Sequence, residues 1–169
     1  MPLNVKFKLN CQVLSSQYAI TIDAGSTHSK AILFKWKVEK LNDTGLIKQV
    51  DTCDIKPGIS SFTGDQLEKA ADGLMGCIHQ LAKHFDSATS LEHAFVYLGA
   101  TAGMRMLNIS DSQTSANLFQ SIRKRFVDSG LQTKRVSIIT GKEEGLFAWV
   151  CSNFISMFAL CFLQFVTVA

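Results

Sequence analysis

Several familiar signatures are missing from this chain, and each absence removes a class of chemistry. Its five cysteines, Cys11, Cys53, Cys77, Cys151 and Cys161, form no CxxC pair and have no partnered histidines, which sets a zinc site aside. There is no GxxxxGK[ST] loop and no protein-kinase signature, so neither a P-loop NTPase nor a kinase is indicated. Charge of one sign is scarce: 17 basic and 14 acidic residues are scattered, the net charge is +3 and the pI is near 8.6. That balance leaves no electrostatic footprint for nucleic acid. The densest basic run, Arg123-Lys124-Arg125, reads as the solvated face of a helix. Residues 1–17, MPLNVKFKLNCQVLSSQ, contain no continuous apolar core of signal-peptide length. Internal repeats and low-complexity tracts are also lacking.

What remains is 169 residues, 47% hydrophobic and 18% charged, in the range of one globular domain with a real core. Apolar alternation predicts strands at about Tyr18–Asp23, Ser29–Lys37 and Ile47–Asp54, an antiparallel meander with a turn around NDTG. KPGISSFTGD then reads as loop. Leu67, Ala70, Ala71, Leu74, Ile78 and Leu81 recur at helical spacing, predicting a helix over Gln66 to Phe85 with Asp65 as its N-cap. AFVYLGA is a buried strand, SDSQTSANLFQSIRKRFVDSG a helix stopped by Gly130, RVSIIT a strand, and GKEEGLFAWV the start of a third helix. The order β-β-β-α-β-α-β-α predicts an α/β fold, a mixed sheet that needs helices on its faces.

From Leu146 to Ala169 there is no Asp, Glu, Lys, Arg or His. About 20 apolar residues suffice to span a bilayer. Two readings stay open: a membrane anchor, or a core helix of a larger protein, since Trp149, Ser152 and Asn153 interrupt the run. Two N-x-[ST] sequons, at Asn42 and Asn108, permit a glycosylated, secretory setting, where disulfides also persist.

Three loops carry residues suited to chemistry. In the first, DAGSTHS, two good strands are interrupted by small side chains where a tight turn needs only two residues. Small residues let backbone N–H groups approach an anion, Ser26 and Thr27 offer hydroxyl donors, and Asp23 at the strand end can hold a metal ion through its waters. The second, GATAGMR at Gly99–Arg105, follows a strand in the same way. The third, TGKEEG at Thr140–Gly145, sets Glu143 and Glu144 at a helix start. Each alone has a bland reading: a flexible turn, close helix–strand packing, acids that favour a helix dipole. Their force lies in convergence, since strands that align would bring all three to one end of the sheet.

Read together, DAGSTHS, YLGATAGMR and IITGKEEGLFAWV resemble the first three apyrase regions of the ectonucleoside triphosphate diphosphohydrolases, the apyrase or ecto-ATPase family, in order and at suitable distances. The likeness runs from Tyr18 to about Ile155, takes in NDTG and PGIS, and is nearer to the cell-surface branch. It implies an RNase H-like lobe of the actin, Hsp70 and sugar-kinase type, over residues 18–155, with an amino-terminal extension 1–17 and an apolar tail 156–169 outside the family pattern. By motif position it also implies Gly25, Ser26, Thr27 and His28 as phosphate contacts, with Thr101 and Ala102 lining the phosphate path. Asp23 would orient water around Ca²⁺ or Mg²⁺, and Glu144 rather than Glu143 would be the catalytic base. Cys53 and Cys77 match positions paired in the family, implying a disulfide. A cell-surface or secretory-pathway location follows from the same likeness.

The pattern stops after WVCSNFI: a fourth region resembling DLGGAS, a fifth, and the second lobe they belong to are not found, so the expectation is the amino-terminal lobe of a truncated or alternatively spliced product. Hydrolysis of nucleoside tri- and diphosphates is implied, impaired in this chain because half of the phosphate clamp is missing. The alternative is a non-catalytic chain that binds phosphate weakly or is held at membranes through residues 146–169. A sugar kinase or an exopolyphosphatase, whose DxGSxxxK-like loop Lys30 approximates, is a third reading, against which the EEG-to-tryptophan segment argues.

Overall fold

In β1 (Ser16–Ala24), Tyr18, Ile20, Ile22 and Ala24 alternate onto one buried face, the period of a strand with a single core side. The structure, a computed structural model, describes residues 16–37, 46–86 and 91–153. β2 (Ser29–Lys37) and β3 (Ile47–Ile55) continue an antiparallel meander from β1, while β4 (Ala94–Ala100) and β5 (Gln132–Ile138) add in parallel on its other side. The sheet order is β3-β2-β1-β4-β5.

Helical crossovers make the parallel pairings possible. α1 (Leu67–Ala82) links β3 to β4 and turns Leu74, Ile78 and Leu81 into the core, each fully buried and each contributing about 1.5–3 kcal/mol relative to exposure. The expected cap, Asp65, does not cap it. Asp65 lies in a 3₁₀ turn, Gly64–Gln66, whose Gln66 N–H already donates to the Thr63 carbonyl at 3.1 Å, and no side chain caps the helix.

The second crossover is divided into α2 (Ala102–Ser110) and α3 (Ser112–Asp128). Asp111 makes the division: its backbone leaves the helical region and its carboxylate accepts from the Thr114 N–H at 3.0 Å, an N-cap for α3. α3 ends where expected. Gly130 adopts φ 76°, and the Leu131 N–H reaches back to the Phe126 carbonyl at 3.1 Å. α4 (Gly141–Asn153) follows β5.

Leu118, Ile122 and Phe126 of α3 join α1 and the core face of the sheet in the main cluster. A smaller cluster on the opposite face centres on Ala19 and Tyr97, with Phe34, Trp36, Ile47 and Phe95 around it. Cys53 of β3 and Cys77 of α1 are joined as a disulfide with Cα atoms 5.7 Å apart, tying the meander to the first crossover helix. Among the described residues no helix is long and apolar enough to cross a membrane. The apolar run 146–169 lies outside them from residue 154 on, as does the Asn42 sequon; Asn108 is exposed on α2.

Candidate functional site

Strand direction decides where the three loops meet. In the parallel ladders Asp23 lies beside Gly99, Ala24 beside Ala100, and Ala100 beside Ile138, so β1, β4 and β5 all end at one edge. Backbone bonds continue past the strand ends: the Thr101 N–H donates to the Ala24 carbonyl at 3.1 Å, and the Ile139 N–H to the Ala100 carbonyl at 2.9 Å. DAGSTHS, GATAGMR and TGKEEG are therefore neighbours on a common rim. Ligands of open α/β sheets collect at such carboxyl ends.

On this rim Ser26, Thr27 and His28 are exposed and Gly25 is partly so; the Thr27 hydroxyl lies 3.1 Å from His28 Nδ1. Thr101 stands just before α2 and Ala102 opens it, which puts unpaired first-turn N–H groups beside the first loop. A fourth segment, read from sequence only as loop, joins them. The Gly58 N–H donates to the Thr27 carbonyl at 2.9 Å, so the turn after β3 also touches the rim.

The two adjacent glutamates have different employment. Glu143 and Thr140 form a reciprocal capping box, Thr140 N–H to Glu143 Oε2 at 2.7 Å and Glu143 N–H to Thr140 Oγ1 at 3.1 Å. Arg135 of β5 adds an ion pair to Glu143 Oε1 at 3.0 Å. The Thr140 N–H first, then the Arg135 guanidinium and the Thr140 hydroxyl, pull the Glu143 pKa from 4.5 to about 2. A carboxylate whose folded pKa is lowered stabilises the fold above its ordinary pKa, and this contribution is lost as pH falls from 4.5 towards 2. Amide exchange in the first turn of α4, followed by NMR and taken relative to the intrinsic rate of an unstructured amide at each pH, is expected to accelerate as pH falls over that interval and to be flat above it. Acceleration that begins only below pH 2 would contradict the capping role.

Glu144 instead faces the rim. Arg105 of α2 donates from Nη1 to Glu144 Oε2 at 2.9 Å and to the Ile139 carbonyl at 2.9 Å, bridging the second and third loops. The glutamate side chain keeps 44% of its surface exposed, against 30% for the arginine, so the pair is reachable by water. Glu144 is also close enough to Asp23 to be felt there. Asp23 is exposed on its outer side yet crowded by the converging loops, and its pKa is raised by partial burial first and by Glu144 second, with His28 opposing.

Negative charge on Glu144 adds to the cost of ionising Asp23, and a divalent cation beside Asp23 would relieve that cost. Among the described residues no group of three or more His, Cys, Asp or Glu side chains gathers to form a closed cage. The carboxylates offer oxygen donors, the ligand type of a hard divalent cation that completes its shell with water.

Sequence reasoning placed Asp23, Gly25–His28, Thr101, Ala102 and Glu144, and the fold brings them to one edge. It did not name Arg105, the last residue of the second loop, as the partner of Glu144. It also missed Gly58. An arginine directly after a small-residue loop was the available signal for the first; for Gly58 there was none beyond its place in PGIS.

A five-stranded sheet in this order, with loops gathered past the ends of β1, β4 and β5, is an RNase H-like lobe of the actin, Hsp70 and sugar-kinase type. The chain belongs to the GDA1/CD39 (nucleoside phosphatase) family, whose sequence profile matches residues 10–157. It is 34% identical over 143 residues to human ectonucleoside triphosphate diphosphohydrolase 2, a match covering 82% of this chain and 28% of the relative. To mouse ectonucleoside triphosphate diphosphohydrolase 1 it is 33% identical over 140 residues, covering 82% and 27%. The chain thus spans little more than a quarter of the length of these curated relatives. Among solved structures, a nucleoside triphosphate hydrolase from Neospora caninum superposes with a TM-score of 0.59 at 20% identity, over 85% of this chain and 32% of that one. A Ppx/GppA family member from Aquifex aeolicus gives 0.51 at 17%, over 80% and 39%. These structural likenesses speak to the fold alone.

Proposed function

We propose that this chain carries one phosphate-gripping lobe, residues 18–155, of an enzyme that hydrolyses the terminal phosphate of nucleoside tri- and diphosphates. One observation supports this above the others: Glu144 and Asp23 face a rim of small, donor-rich loops built by three parallel strand ends. Exposed Ser26, Thr27 and His28, with Gly25 between them and the strand, hold the terminal phosphate oxygens, and Thr101 and Ala102 line its path at the start of α2. Glu144 accepts a proton from a water molecule whose oxygen attacks the terminal phosphorus in line. The bond from that phosphorus to the bridging oxygen breaks, and the nucleotide leaves with the electron pair. Asp23 is the residue that would hold Ca²⁺ or Mg²⁺ through its waters, and the ion would supply positive charge against the phosphate oxygens.

The ion pair from Arg105 favours a second reading, in which Glu144 stays neutralised and the rim binds phosphate without turnover. Phosphate release from ATP and ADP in Ca²⁺ or Mg²⁺, against a chelator control, separates the two. Release that requires the cation supports hydrolysis; release indifferent to it defeats that reading. Residence at the cell surface, and attachment to membranes through 146–169, belong to the same proposal. Loss of mass on deglycosylation, mapped to Asn42 or Asn108, tests the first; a chain of unchanged mass would count against it.

A further inference from the structure

The first loop is gripped from two sides by glycines whose backbone conformation does not require glycine. Gly58 has φ −64° and ψ 152°, open to any residue, and Gly103 lies within helix α2, where alanine is ordinarily favoured. Space is the reason for both. A Cβ on Gly58 would lie 2.5 Å from the carbonyl oxygens of Gly25 and of Ser26. On Gly103 it would lie 2.7 Å from Ser26 Cα, 2.8 Å from Ser26 Cβ and 2.8 Å from Ser60 Oγ. By contrast, a Cβ on Gly76 of α1 would meet nothing within 4 Å.

The two glycines come from different elements and press on different surfaces of the loop. Gly58, from the turn after β3, lies against its carbonyls and donates to Thr27; Gly103, from the first turn of α2, lies against the Ser26 side chain. The Ser60 hydroxyl and Ser26 together occupy the space that a Cβ on Gly103 would need. We propose that Gly58 and Gly103 are positioning residues for phosphate recognition, a clamp that presets the amides and hydroxyls of Ser26 and Thr27 before any ligand arrives. The inference rests on the phosphate reading above and adds to it a segment, Lys56–Ser61, outside the three motif loops. Preset donors bind and stabilise charge without reorganisation, whereas a displacement of about 1 Å costs on the order of 10²-fold in a reaction that depends on them.

The test uses the full chain, labelled with ¹⁵N and titrated with β,γ-imido-ATP and Mg²⁺. Gly58→Ala and Gly103→Ala are expected to displace the amide signals of Gly25–His28 in the unliganded protein and to weaken binding by at least about tenfold. Gly76→Ala should leave both as in the wild type. If the alanine variants lose the dispersed core spectrum, Ser60→Ala decides, because it removes the hydroxyl packed at Gly103 beside Ser26 without adding an atom. Faster amide exchange at Ser26 and Thr27 with weaker binding then supports the clamp. Folded glycine variants with loop signals and affinity unchanged overturn it, as does a Ser60→Ala protein unaltered in exchange and affinity. A wild type that does not bind the analogue defeats the phosphate reading itself, and the proposal with it; failure of the clamp alone leaves wild-type binding intact.

Discussion

Glu144→Gln is expected to lower cation-dependent release of phosphate from ATP by about 10²–10⁴-fold, the usual contribution of a positioned general base. The substitution keeps the side chain's volume and a carbonyl oxygen for Arg105, so the bridge between the second and third loops survives while the proton acceptor is lost. That separation makes the variant informative. Glu143→Gln is its companion: Glu143 is committed to Thr140 and Arg135, so its loss should loosen the start of α4 and leave the pH dependence of turnover unchanged. Initial rates of phosphate release across pH, for both variants and the wild type, read this directly. Equal rates for Glu144→Gln and wild type would remove the base from Glu144 and, with it, the mechanism.

Opening the Cys53–Cys77 bridge is expected to cost about 3 kcal/mol of stability, from the entropy an unfolded chain regains when a loop of this length is released. In a domain of this size each kcal/mol moves Tm by about 2–4 °C, so reduction or Cys53→Ser should lower it by roughly 10 °C. The location adds a consequence. The bridge holds β3 to α1, and the turn that follows β3 carries Gly58 against the phosphate loop, so loss of the disulfide should also be felt at Thr27. Thermal unfolding followed by circular dichroism with and without reductant checks the first effect, and the amide signal of Thr27 the second. A midpoint that moves by less than about 2 °C would show that the unfolded chain gains little from release.

Much of this architecture is legible in local pattern. The alternation in YAITIDA and AFVYLGA marks buried strands, and the 3.6-residue recurrence of Leu67 through Leu81 marks α1. Boundaries were less legible where side chains compete for the backbone. Asp111 divides the second crossover because its carboxylate takes the Thr114 amide, and Asp65 is no cap because the 3₁₀ turn had already satisfied the backbone nearby. Such outcomes depend on small differences between alternative local hydrogen bonds, which composition and periodicity do not rank.

The sequence by itself determined the element types, the three small-residue loops after strands, and the residue chemistry available on them, because these follow from periodicity and side-chain character within a short window. Only the tertiary structure decided that the loops share a rim, since this requires β4 and β5 to pair in parallel with β1 across helices of intervening chain. It also decided the different fates of two adjacent glutamates: Arg135 on β5 claims one and Arg105 on α2 the other. The clamp on Ser26 likewise depends on tertiary packing, for a missing Cβ at Gly58 or Gly103 acquires meaning only when a distant segment of chain fills the space it leaves.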